Sequence, residues 1–110
     1  MKKEVKNAKI INVYTSFSKE NLTLNFTVNF KYEGGGVAYS FSGNNPEDMF
    51  YFSELLNYTN SENEWLDILI DKDVRLVIGA RYLLAIGHPT EDKFFRTRHG
   101  WDSNLSLSEI

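Results

Sequence analysis

Between Lys93 and Trp101 the chain interleaves rings with cations: Phe94, Phe95 and Trp101 alternate with Lys93, Arg96, Arg98 and His99. Aromatic faces beside guanidinium groups can stack bases and hold phosphates. Lys93, Phe95, Arg96, Arg98 and Trp101 are therefore candidate contacts for a nucleotide or another phosphate-bearing ligand. A second cluster has the opposite sign. Residues 33–73 carry nine carboxylates against one base, Lys72. Within it, Glu47, Asp48, Glu54, Glu62, Glu64 and Asp67 are the candidate protein-binding acidic face. A fixed array of carboxylates can imitate a nucleic-acid backbone and dock in a basic groove on another protein. The plainer reading is a pair of solvated acidic helices, since segregated charge acts mainly on solubility and association.

Catalysis needs a nucleophile, a base and a charge stabiliser within reach of one another. The chain has no cysteine and only two histidines, His88 and His99. Neither histidine sits in a metal-ligand pattern such as H-E-x-x-H, so no metal site and no cofactor are expected. His88, between Gly87 and Pro89, reads as a turn residue whose ring caps backbone groups. The glycines Gly34, Gly35 and Gly36 open no helix and lack the Lys and Ser/Thr of a phosphate loop, so they read as a turn. These residues predict a binding module and no enzyme. The whole chain is net acidic at −3, which counts against direct phosphate-backbone binding and leaves a nucleic-acid-binding accessory protein as a third reading.

The elements that must position these groups are legible in the hydrophobic pattern. Leu22, Leu24, Phe26, Val28, Phe30 and Tyr32 alternate with polar residues through Glu33, a strand with one wet face. Before it, residues 5–17 are β-rich but less regular. Val37, Tyr39 and Phe41 alternate next, which predicts a three-strand meander over 5–42. Asn45 followed by Pro46, Glu47 and Asp48 is a helix start. Met49, Phe52, Leu55 and Leu56 then fall at helical spacing. Ser61 and Glu64 resemble a capping box for a second short helix carrying Trp65. Val74, Leu76 and Ile78, then Tyr82, Leu84 and Ile86, predict a closing hairpin.

Several pieces of this order have a counterpart elsewhere. They are Gly34 to Gly36 with Tyr39 to Gly43, then Trp65, Val74-Arg75, Ala85-Ile86-Gly87-His88 and Asp92-Lys93-Phe94-Phe95. Over residues 22–95 the chain resembles a family of small, mostly uncharacterised proteins encoded by bacteriophages and prophages. It departs from that family at residues 39–43, Tyr-Ser-Phe-Ser-Gly where Phe-Gly-Gly-Tyr is usual, and in lacking a Gly-Lys turn before Val74. The resemblance implies a phage or mobile-element origin and no established activity.

The expectation is an α+β fold, an antiparallel sheet of about five strands with two helices packed on one face. Residues 1–101 form one domain and the Ser-rich 102–110 a flexible tail. No apolar run follows the N-terminal lysines and no stretch approaches the roughly 20 apolar residues of a membrane helix, so neither a signal peptide nor a membrane is expected. The expected function is a phage-type accessory protein, cytoplasmic in an infected or lysogenic bacterium, that blocks a host-defence protein as anti-CRISPR proteins do. A sponge that sequesters a nucleotide signal is the alternative. A homodimer is a further possibility, through an exposed edge such as residues 37–41.

Overall fold

A computed structural model of the chain describes residues 3–20, 22–59, 69–79 and 82–100. The chain runs β1 (Lys3–Ser18), β2 (Thr23–Tyr32), β3 (Gly35–Ser42), α1 (Pro46–Tyr58), β4 (Asp73–Gly79), β5 (Tyr82–Gly87) and β6 (Phe94–Arg96). It is an α+β fold built on one antiparallel sheet in the order β3-β2-β1-β4-β5-β6. Six strands stand where about five were expected. The addition is β6, three residues long and too short for alternation to reveal it. The second helix expected from Ser61 onward, and the tail from residue 102, lie outside the described residues.

β1 organises the sheet. Its first half pairs with β4, from Lys3 opposite Gly79 to Lys9 opposite Asp73, while its second half pairs with β2, to Ser18 opposite Thr23. A bulge at Ile11 separates the halves, because Ile10 faces Phe30 and Asn12 faces Asn29. One extra residue shifts the phase of alternation and bends the strand. This explains why residues 5–17 lack a clean period of two. The stagger lets the sheet curl until its ends approach: Phe41 of β3 and Phe95 of β6 lie 6.3 Å apart at their ring centroids.

α1 lies on the inner face and fills that curl. Phe52 stacks on Phe26 at 4.8 Å and tilts against Phe41 at 5.2 Å, and Leu55 is fully buried beside them. Ile10, Val28, Phe30, Val74, Leu76 and Ile86 complete this core. The helix begins as its residues dictate: Asn45 Oδ1 accepts the Glu47 N–H at 2.9 Å and the Asp48 N–H at 3.3 Å, with Pro46 in the first turn. The other face of the sheet is not uniformly wet. Val77, Leu84 and Ala85 are buried there with Val5 and Phe94 packed against them. Near-continuous apolar runs in β4 and β5 are what burial on both faces requires. The β2–β3 turn is tighter than three glycines suggested. Tyr32 faces Gly35, so Glu33 and Gly34 form the loop, and Gly34 alone of the three has a positive φ, +95°.

Candidate functional site

One flank of α1 carries Glu47, Phe50, Tyr51, Glu54 and Tyr58, spaced three, one, three and four residues apart, which places them along a single side of the helix. Across from this flank runs the chain from Asp92 through β6. The two walls enclose an open groove of about 680 Å³ lined by Glu47, Phe50, Tyr51, Glu54, Asp92, Lys93, Phe94 and Arg96. At its helix-start end a smaller hollow of about 340 Å³ continues past Tyr39, Asp48, Thr97 and Arg98, and it shares Glu47, Tyr51 and Arg96 with the first. Glu47 and Glu54 of the acidic cluster thus stand across one groove from Lys93 and Arg96 of the basic-aromatic cluster.

The groove has an aromatic floor. Phe95 points inward from β6 and is buried, with the Tyr51 ring stacked on it at 5.1 Å and 5° and the Tyr58 ring at 6.0 Å. Phe94 and Arg96 take the alternate side of the strand, and the Arg96 guanidinium sits 5.5 Å from the Phe94 ring centroid. Tyr51 donates its hydroxyl hydrogen to Glu47 Oε1 at 3.1 Å. Partial burial and the Glu47 carboxylate raise the Tyr51 pKa, and partial burial with the Glu54 charge raises that of Tyr58. Both phenols therefore remain neutral donors over the physiological range. Phe50 is the most exposed ring of the site, at 59%.

β6 is placed by two motifs that lie far apart in sequence. Arg75 Nε donates to the His88 carbonyl at 2.8 Å and Nη2 donates to the Glu91 carbonyl at 2.5 Å. His88 Nδ1 accepts the N–H groups of Thr90 and Glu91 at 3.0 and 2.9 Å, and its Nε2 lies 3.1 Å from Glu91 Oε2. The ring caps a turn, as its Gly-His-Pro setting suggests, and its edge meets Tyr58 at 5.8 Å. Val74-Arg75 and Gly87-His88 thus form one device that fixes the turn leading into β6.

Seven of the eleven candidate contacts lie among the described residues. Glu47 and Glu54 line the groove, facing Lys93 and Arg96. Asp48 is not on an acidic face: it is only 6% exposed, and its Oδ2 accepts the Ser42 N–H at 3.0 Å and lies 3.6 Å from Arg98 Nη1. Arg98 is equally committed to the scaffold. Its Nη2 donates to the Ser40 carbonyl at 3.2 Å, its backbone N–H donates to the Tyr39 hydroxyl at 3.2 Å, and its guanidinium lies 4.7 Å from the Tyr39 ring. Asp48 and Arg98 therefore tie the β3 edge to α1 and to the end of β6. Phe95 is floor and not a free stacking platform. Glu62, Glu64, Asp67 and Trp101 lie outside the described residues.

Sequence reasoning missed Phe50, Tyr51, Tyr58 and Asp92. The spacing of the first three along one helix flank was the available signal. Another hollow, of about 600 Å³, lies by Ala8, Ile11, Lys31, Tyr32 and Val74. Its lysine Lys9 is bonded to Asp73 at 2.9 Å, which raises the Lys9 pKa. Among the described residues no group of three or more His, Asp or Glu side chains could hold a metal ion, and no helix is long and apolar enough to cross a membrane. No family model, no curated protein and no solved structure matches this chain.

Proposed function

We propose that this protein is a non-enzymatic binding module that holds a segment of another protein in the groove between α1 and β6. The observation that carries this reading is the convergence of Glu47, Phe50, Tyr51 and Glu54 with Lys93, Phe94 and Arg96 on one open surface. Aromatic and arginine side chains together are typical anchors of protein interfaces, and here Phe50 is exposed while Phe94 and Arg96 are half-buried. Glu47 and Glu54 on the α1 wall, with Lys93 and Arg96 beside Asp92 on the other, suit a partner segment bearing both signs. They suit a uniformly charged nucleic-acid backbone, or a uniformly acidic imitation of one, less well. The resemblance to phage-encoded proteins extends the proposal to the role: an inhibitor acting in the bacterial cytoplasm that binds and blocks a host-defence protein.

Affinity capture from bacterial lysate tests this reading. The wild-type protein should retain a stoichiometric partner, and the double variant Phe50→Ser, Arg96→Glu should retain it at least tenfold less well while keeping its thermal transition. Tenfold corresponds to about 1.4 kcal/mol of binding. No partner, or equal capture by the variant, refutes the groove as the binding surface. A second reading has a specific observation behind it. The groove volume falls within the range of small-molecule sites, and Arg96 sits beside aromatic rings, as a nucleotide sponge would require. Saturating cyclic or linear nucleotides should then raise the melting temperature by several degrees, and no shift rejects the sponge.

A further inference from the structure

Among the described residues the distal half of β1 is an open sheet edge. The β4 side of β1 is occupied as far as Ile10, whose N–H donates to the Lys72 carbonyl at 3.0 Å and whose carbonyl accepts the Asp71 N–H at 2.7 Å. Beyond the bulge, Asn12 to Ser18 pair with β2 alone among the described residues. The direction of each backbone group follows from one bond. Gly43 N–H donates to the Leu24 carbonyl at 2.7 Å, so Leu24 and, by alternation, Phe26 and Val28 face β3. Asn25, Thr27 and Asn29 then face β1 and bond its Ser16, Tyr14 and Asn12. Val13, Thr15 and Phe17 are left with N–H and carbonyl groups pointing away from the sheet.

Exposed edges are normally blocked by charge, proline, a bulge or a cover. The β3 edge is partly blocked, because Arg98 takes the Ser40 carbonyl and Asp48 the Ser42 N–H. β6 is three residues long. Among the described residues the β1 edge beyond its bulge has no such protection. No charged residue occurs in 10–18 or in 22–30, and Tyr14 and Phe17 are 48% and 57% exposed on opposite faces of the strand.

We propose that this edge pairs with the same edge of a second copy, antiparallel across a twofold axis at Thr15. Strand pairing about a twofold sets equivalent segments against one another, so any charge would come close to its like. A segment with none is the composition that symmetric pairing tolerates. Centring on Thr15 uses every outward group. Val13 lies opposite Phe17 of the second copy, Thr15 opposite Thr15, and Phe17 opposite Val13. That gives about six hydrogen bonds, two for each opposed pair. It also covers Phe17 with an apolar neighbour and joins the two sheets into one. The edge at residues 37–41 serves less well, because Arg98 already takes the Ser40 carbonyl and Asp48 the Ser42 N–H beside it.

Gel filtration with light scattering reads the result directly. The wild-type protein should run at twice 12.7 kDa. Thr15→Lys and Thr15→Glu should each run at 12.7 kDa, since each sets like charges together at the axis. Mixed in equal amounts, the two variants should recover the doubled mass. A wild-type monomer at sub-millimolar concentration overturns the proposal, as does a dimeric Thr15→Lys or a mixture that stays monomeric. Amide hydrogen exchange of the wild-type protein needs no variant to fold. The N–H groups of Val13, Thr15 and Phe17 should be protected like those of Tyr14 and Ser16, and free exchange at these three overturns the proposal independently.

Discussion

Asp48 shows how one residue can look like surface and act as a joint. Its carboxylate receives the Ser42 N–H and faces the Arg98 guanidinium, so it fastens the first turn of α1 to the β3 edge. Arg98 is half exposed, so its ion pair adds little through solvent screening, and the part-buried N–H bond carries most of the effect. A hydrogen bond to a charged group contributes about 1.5–3 kcal/mol, and with the donor only part-buried we expect Asp48→Ala to lower the stability by about 1.5 kcal/mol in denaturant unfolding. A loss below about 0.5 kcal/mol would show that water replaces the carboxylate. Nothing in Asn-Pro-Glu-Asp distinguishes this inward acid from a solvated helix-start acid, because the distinction lies in a strand edge that only the fold supplies.

Tyrosines 39, 51 and 58 make a second statement at this scale. Desolvation is the leading cause that raises each above the ordinary value of 10.0, with nearby carboxylates adding to it and, at Tyr39, the Arg98 contacts opposing it. A phenol with a raised folded pKa keeps its proton in the native state while the unfolded chain has begun to lose it. Its stabilisation is present below about pH 10 and declines as pH rises through the folded pKa. Stability should therefore fall on the alkaline side from about pH 10, and Tyr39→Phe should flatten that fall. An unchanged alkaline slope in Tyr39→Phe would remove Tyr39 from the explanation.

At the scale of elements, the helix start and the β2 strand follow from sequence-local physics. Asn45 caps two backbone N–H groups, so Asn45→Ala should cost about 1 kcal/mol while Asn45→Asp should cost little, measured by thermal or denaturant unfolding. Equal losses in the two variants would mean that Asn45 stabilises through something other than its side-chain oxygen. β1 was harder to read because Ile11 inserts a bulge in mid-strand and because its two halves serve different neighbours. β6 was illegible, since three residues give no periodicity and its position depends on Arg75, thirteen residues before His88 in the chain. The same reasons explain the site. Its two charged walls were visible as compositional clusters, but their apposition depends on the sheet curling until β6 meets α1.

Across the described residues, the curl of the sheet about α1 closes its ends onto that helix, and each end is treated differently. The β3 edge is partly capped by Asp48 and Arg98, β6 becomes a groove wall, and the distal half of β1 is left open among the described residues. A binding groove and a pairing edge can then act together without competing for the same residues. The central claim is that the α1–β6 groove is the surface a partner uses. A photo-cross-linking residue placed at Phe50, within the groove, and at Ala38, exposed on β3, tests it inside cells. We expect one discrete adduct of higher mass from position 50, absent from position 38 and lost when Arg96→Glu is added. No adduct at position 50, or the same adduct from both positions, would contradict the claim.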